Sequence, residues 1–419
     1  MKFKYTWKEL GYVFILLLII QGNLFIKLVA ISVLLILTPY KIFPKKTKPI
    51  VFFYLFILTI IMLSFLTLGW LNELTYFFSL LFSLVLWFFC YFLFVFNDQY
   101  INSHSLQSVK KSIDILFWLN TIMSFAQLVM LMIEQRTLNP FGGSYKGATG
   151  DFIYGLFSNS SINMIMSTFF FFFYIYQKKQ WKAFFAVTTA ILTTYMGGLV
   201  LAILAFVIIL IFNPAIKIKY KLYGLIFLVA AYFSFRIISP ENVKYSEYFI
   251  KKTFSIDPPR KLISFGQTIN YSTSTIPRFF VGAGPGNFSS RTAFVFGGEY
   301  VSWLPQKVVY RSDAFDKNHF KLWNNEILSK PYQDGTANQP FAVYNQLLGE
   351  YGFIGLMVFF VLYTGYYFKR YYQLTYGKYL LVFLLLIFLM DYWFEYLSVV
   401  VLFEILMLVQ LKELKKENE

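Results

Sequence analysis

Gly282-Ala283-Gly284-Pro285-Gly286-Asn287-Phe288 sits inside a polar and aromatic stretch, 239–339, that separates two hydrophobic parts of the chain. That stretch carries twelve of the Lys and Arg residues, from Lys244 to Lys330, and the only glycine-dense motif. Nearly everything outside it reads as membrane. The chain of 419 residues is 58% hydrophobic and 14% charged, where soluble domains carry about 25% charged residues. The apolar residues come in runs of roughly 17–23, the length that crosses a hydrocarbon core.

Outward from the polar stretch, twelve candidate spans follow: 10–21, 24–40, 50–69, 75–96, 112–133, 156–176, 182–195, 197–213, 220–238, 341–368, 378–392 and 396–411. The short ones predict tight hairpins at spans one and two, seven and eight, and eleven and twelve. The expected fold is therefore all-α. It is a single polytopic domain over 1–419, with 239–339 as one large extracytoplasmic loop between helices nine and ten.

Charge sets the expected orientation. The net charge of +16 is dispersed in short loops between apolar runs, which argues for membrane topology and against nucleic acid. With the N-terminus in the cytoplasm, the inner segments hold 21 basic residues, while the short outer ones hold Lys27, Arg136 and Lys146. This is the positive-inside pattern, from which long loops are exempt. Both termini then lie in the cytoplasm and the long loop outside. No cleavable signal peptide is evident, because the first apolar run leads straight into another. Cys90 is the only cysteine, which excludes an internal disulfide or a cysteine metal site, and His104 and His319 are too few for a histidine zinc site. No metal or cofactor is implied.

Several groups could carry chemistry. Gly282, Gly284 and Gly286 permit positive φ and close approach of backbone to a ligand, and successive N–H groups in such a turn can cradle an anion. The plainer reading is a tight turn packed on the membrane surface. No Gly-Lys-Ser/Thr follows, so the motif is not a phosphate loop of the nucleotide-binding kind. The arginines Arg236, Arg260, Arg278, Arg291 and Arg311 offer planar forks suited to phosphate oxygens. Asp391 and Glu395 cap span eleven and Glu404 lies within span twelve, where an ionisable group is a functional candidate by default. Span ten opens with Gln339, Tyr344, Asn345 and Glu350, ahead of Gly352 and Gly355, small residues that let helices approach closely. A second outer segment, 134–155, includes Asn139-Pro140-Phe141-Gly142-Gly143 and Gly150-Asp151.

These pieces resemble the Wzy polysaccharide polymerases and the O-antigen ligases. The resemblance rests on about twelve helices with one large loop after the ninth, and on three short motifs. The first is Arg260 upstream of Gly282-Ala283-Gly284-Pro285-Gly286-Asn287-Phe288. The second is Glu350, Gly352 and Gly355 after the loop, and the third is Gly155, Phe157 and Asn159 before span six. Two departures separate the chain from the ligases. Phe341-Ala342 stands where the ligases carry His-Asn, and Tyr195-Met196 stands where they carry Ser-Arg at the turn between helices seven and eight.

The resemblance implies a glycosyltransferase of a bacterial cytoplasmic membrane that joins lipid-pyrophosphate-linked repeat units into capsule, exopolysaccharide or O-antigen chains. Its partners would be a lipid-linked donor and acceptor, membrane lipid, and a chain-length regulator and flippase. Arg260, Arg278 and Arg291 are the expected pyrophosphate or glycan contacts. Asp151 and Glu350 are the expected activators of an acceptor hydroxyl. Arg236, Gly282, Gly284, Gly286, Asn287, Gln339, Tyr344 and Asn345 are the expected substrate-binding residues. A ligase-like transferase remains open. A flippase or secondary carrier would be expected to show two equivalent halves, and the large loop lies off centre. A membrane scaffold would need neither the arginines nor twelve helices.

Overall fold

The computed structural model describes residues 7–21, 24–37, 47–68, 74–142, 151–212, 217–297, 304–329 and 338–417. Gly143, Lys146 and Gly150 of the second outer segment, and Lys330 of the long loop, lie outside the described residues. The described chain is helical, with no strand among its residues.

Each of the twelve apolar segments is occupied by a helix. In order these are α1 (Trp7–Ile20), α2 (Leu24–Leu37), α3 (Lys48–Leu68), α4 (Leu74–Ser103), α5 (Leu106–Gln135), α6 (Ser160–Tyr176), α7 (Gln180–Leu192), α8 (Met196–Phe212) and α9 (Ile218–Ile238). The stretch 239–339 folds into α10 (Pro240–Thr253), α11 (Arg260–Thr273), α12 (Ile276–Val281), α13 (Arg291–Phe296), α14 (Asp313–Lys317) and α15 (Asn325–Leu328). Then come α16 (Val343–Val358), which runs through a π-helical turn into α17 (Gly365–Phe368), and finally α18 (Tyr376–Ile387) and α19 (Leu397–Glu417). Among the described residues four helices are long and apolar enough to cross a membrane, Lys48–Leu66, Thr75–Ser103, Leu106–Gln135 and Val343–Phe368, and a bent pair, Gly224–Ile238 with Pro240–Thr253, makes a fifth if it is one span. Five more apolar helices are shorter.

Several boundaries differ from the sequence expectation for identifiable reasons. α4 and α5 continue through polar residues well past their apolar runs. A Ser105 side chain that accepts from the Ser108 N–H starts α5. Conversely, 156–159 is not helical. The expected span six starts only at Ser160, where Asn159 accepts from the Ile162 N–H. The backbone ahead of it is satisfied by side chains of α5: Gln127 accepts from Tyr154 and Gly155, and Asn120 accepts from Leu156. Buried backbone without such partners would be costly. Lys27 is not a loop residue. It lies within α2, buried, and donates to Ser398 at 3.1 Å.

The core is aromatic. Phe53, Tyr54, Trp87, Phe359, Tyr363 and Phe394 are buried together, with ring centroids mostly 5–6.5 Å apart at tilted or edge-on angles. Such pairs contribute about 0.5–1.5 kcal/mol each beyond area burial. Here they join α3, α4, α16 and the 388–396 turn. Of the helices of 239–339, α10 packs against α8 and α9, α11 and α12 against α16, and α13 against α4.

Candidate functional site at the glycine motif

α16 is interrupted at Gly352, which sits at φ +66°, ψ −169°. The break frees carbonyls just before it. Gly349 and Glu350 carbonyls accept from the N–H groups of Ala283 and Gly284 at 2.7 and 3.0 Å. The approach is so close that glycine is required on both sides. A Cβ at Gly282 would lie 2.6 Å from the Glu350 carbonyl carbon, and one at Gly352 would lie 2.3 Å from the Phe280 carbonyl oxygen. Gly282, Gly284 and Gly286 all have positive φ, as their sequence pattern allows.

The anion that this turn cradles is Glu350 itself. One carboxylate oxygen accepts from Gly286 N–H at 2.8 Å. The other accepts from Phe288, Ser289 and Ser290 at 3.0, 2.9 and 2.9 Å. Glu350 is fully buried. The N–H groups offered in sequence to a pyrophosphate are thus engaged within the chain, and the carboxylate offered to an acceptor hydroxyl is spent on them. That corrects both expectations. The glycine motif is a clasp between the polar stretch and α16, close to the plainer reading of a packed turn. Asn287 belongs to the same clasp. Its amide donates to the Ala283 carbonyl and to the hydroxyl of Tyr76 on α4, and Tyr76 donates to the Pro285 carbonyl. Ser83 of α4 donates to Thr292, closing the contact.

Around the clasp lies a ring of charged and polar groups. Arg291, half-buried, donates its backbone N–H to Glu395 at 2.5 Å and its guanidinium to the Glu395 carbonyl, with the guanidinium 4.8 Å from the Tyr396 ring. Gln346 donates to the other Glu395 oxygen at 2.8 Å. Arg260, half-buried at the first turn of α11, donates to the Leu322 carbonyl at 3.1 Å. Arg278 is exposed, bonded to Ser274 and stacked 4.9 Å from the Tyr271 ring. Arg311 is exposed over Phe320, and Arg236 is exposed on the last turn of α9. Arg260, Arg278 and Arg291 are therefore placed on three consecutive short helices, Arg260 at the start of α11 and Arg278 beside its opposite end.

Sequence reading missed Lys261. It is buried and donates to the carbonyls of Phe341 and Met390. Burial pushes its ammonium down, with Asp391 opposing the shift. It lies on a polar stripe of α11, Lys261, Ser264, Thr268 and Ser272, all buried. Asn345 of α16 donates to Ser264 and to the Pro340 carbonyl. Tyr344 donates to the Leu385 carbonyl, and Gln339 lies half-buried just before α16. These expected substrate contacts are thus tied into the helix packing. The i, i+3, i+7, i+11 spacing of the stripe was the available signal for Lys261.

His319 is buried against Phe288, with ring centroids 4.5 Å apart. It sits within 3.2 Å of the Ser264 carbonyl, and burial holds it down at about 3, so it is a neutral packing group. Phe341, where the ligases carry histidine, is fully buried among Phe294, Phe315, Trp323 and Tyr392.

Asp151 is exposed at φ +69° and accepts from Ser160 at 2.6 Å, while its N–H donates to Thr194. The turn containing Thr194 leads to Gly197, whose Cβ position lies 3.0 Å from Met390. Among the described residues no cluster of His, Cys, Asp and Glu could hold a metal ion. No family model, no curated protein and no solved structure matches this chain.

Proposed function

We propose that this chain is a membrane glycosyltransferase that polymerises lipid-pyrophosphate-linked oligosaccharide repeat units. In this reading the twelve apolar helices cross a cytoplasmic membrane, both termini lie inside, and 239–339 covers the bundle on the opposite side. The observation that carries it is the mutual docking of the glycine motif and Glu350-Tyr351-Gly352. Two of the three motifs on which the resemblance to the Wzy polymerases and O-antigen ligases rests form one structural unit. Arg278 and Arg291 lie on the short helices that flank the glycine motif, and Arg260 opens the helix before them.

The chemistry follows from that placement. The acceptor hydroxyl oxygen bonds to the anomeric carbon of the donor sugar, the carbon–oxygen bond to pyrophosphate breaks, and the hydroxyl proton passes to a base. Fixed guanidinium groups stabilise the leaving pyrophosphate as its charge grows. The exposed Arg278 and half-buried Arg260 fit that task best. Arg291 already binds Glu395. With Glu350 engaged, Asp151 is the remaining carboxylate of the two proposed to receive the proton. The departures at Phe341 and Tyr195 favour polymerase over ligase.

Arg260→Ala is expected to abolish polymer in a producing cell, with protein still present in the membrane and single repeat units accumulating. Polymer of unchanged amount and length would remove Arg260 from the site. Impermeant thiol reagents should reach Gly142→Cys and Asp313→Cys from outside intact cells, and labelling only after lysis would overturn the topology.

A further inference from the structure

α11 is amphipathic in the reverse sense. A surface helix normally turns its apolar face to the core. Here the buried stripe is Lys261, Ser264, Thr268 and Ser272, and the exposed side carries Leu262 and Ile269. α12 continues the pattern. Ile276 is 76% exposed and Val281 54%, with Phe280 also exposed. A soluble loop would not show its apolar side chains outward over two consecutive helices while burying an ammonium group.

The apolar flank joins a surface already assigned to lipid. Phe279 stacks on Phe353 of α16 with centroids 5.1 Å apart and planes at 15°. From Phe353 onward α16 exposes Ile354, Met357 and Val361, the outward side of a helix long enough to cross a membrane. Lipid demands that N–H and C=O groups be satisfied within the protein, and the N–H groups at both ends of α12 are. Thr275 caps α12 by accepting from Arg278 N–H, and Gly282 N–H donates back to the Arg278 carbonyl. Ala283 and Gly284 are bonded to α16.

We propose that α11 and α12 form a re-entrant hairpin seated in the outer leaflet of the bilayer, with Ile269, Ile276, Phe280 and Val281 against lipid hydrocarbon. The polar stripe faces the protein and the apolar flank faces the acyl chains. Arg278 is exposed on the same short helix, with its guanidinium held by Ser274 and Tyr271. It reaches the phosphate level as basic side chains do at a membrane surface. The stretch is then only in part a loop in water. This placement rests on the membrane reading of the chain and does not depend on the sugar chemistry.

The test uses the full chain reconstituted in phosphatidylcholine vesicles, with an environment-sensitive fluorophore on Ile269→Cys or Ile276→Cys. Native Cys90 is buried and can be left in place. Val361→Cys on α16 reports lipid, and Asp313→Cys, at an exposed position, reports water. In vesicles of brominated-chain lipid, both α11–α12 probes should be quenched to the same fractional extent as Val361→Cys, while Asp313→Cys is not quenched. Emission at either position that matches Asp313→Cys overturns the proposal. So does a probe shielded from aqueous quencher yet unquenched by brominated lipid, since that result means a second copy or another protein covers the face.

Discussion

Two of the buried glutamates, Glu350 where the polar stretch docks and Glu404 within α19, are held in opposite ways. Glu350 accepts from four backbone N–H groups. Glu404 accepts from two side chains, Tyr54 at 2.6 Å and Tyr363 at 3.1 Å, and its second oxygen has no hydrogen-bond partner among the described residues. Backbone donors cannot rotate away when their acceptor is lost, whereas tyrosine hydroxyls can turn. The first glutamate therefore fixes the path of a chain segment. The second joins three helices that an aromatic core already holds.

The largest effect expected from this contrast is that of Glu350→Ala. It leaves four buried donors without an acceptor, each costing about 1–3 kcal/mol, so 239–339 should detach. Protease cleavage within 282–290 in the purified protein would report it, and an unchanged cleavage pattern would break the comparison. Next is Gly352→Ala, which places a Cβ 2.3 Å from the Phe280 carbonyl oxygen at positive φ. It should cost about 1–3 kcal/mol and lower the thermal midpoint. Gly266→Ala is its control, since nothing lies within 4 Å of the added atom, and it should be neutral or stabilising by up to about 1 kcal/mol. Glu404→Gln should cost about 1 kcal/mol or less, read as a small midpoint shift without new cleavage.

The smallest effect concerns pH. Burial holds His319 at about 3, below the ordinary 6.5. Its neutral form is the one the fold accommodates, so the stability it supports is present above pH 6.5 and is lost as pH falls toward 3. His319→Gln should flatten the decline in thermal midpoint over that window. It should leave stability above pH 7 with no added pH dependence.

How much of this was legible in the sequence depends on the range of the interaction. The twelve apolar segments predicted where helices form, because hydrophobic runs are local. Their ends were less legible. Polar residues continue α4 and α5, and 156–159 stays in turns because α5 side chains hold the backbone of 154–156. The short helices of 239–339 were read as a loop, because apolar residues that face outward give no ordinary core pattern. The glycine motif and Glu350 were both singled out and given to a substrate. Their pairing was not visible, since it spans 64 residues and depends on the break at Gly352. Lys261 stood beside the arginine that drew attention, and only its helical spacing with Ser264 and Thr268 marked it as buried.

The clasp also has a consequence for how the protein is made. Gly286 leaves the ribosome 64 residues before the carboxylate that receives its N–H. At roughly 5–20 residues per second, the glycine segment waits several seconds, incomplete, for its partner. Glu350 arrives only with α16, so the polar stretch cannot mature until that helix has been delivered. Completion of this region is timed by the arrival of the next hydrophobic segment, and a nascent chain stalled before it would carry an unfinished domain with its backbone donors open.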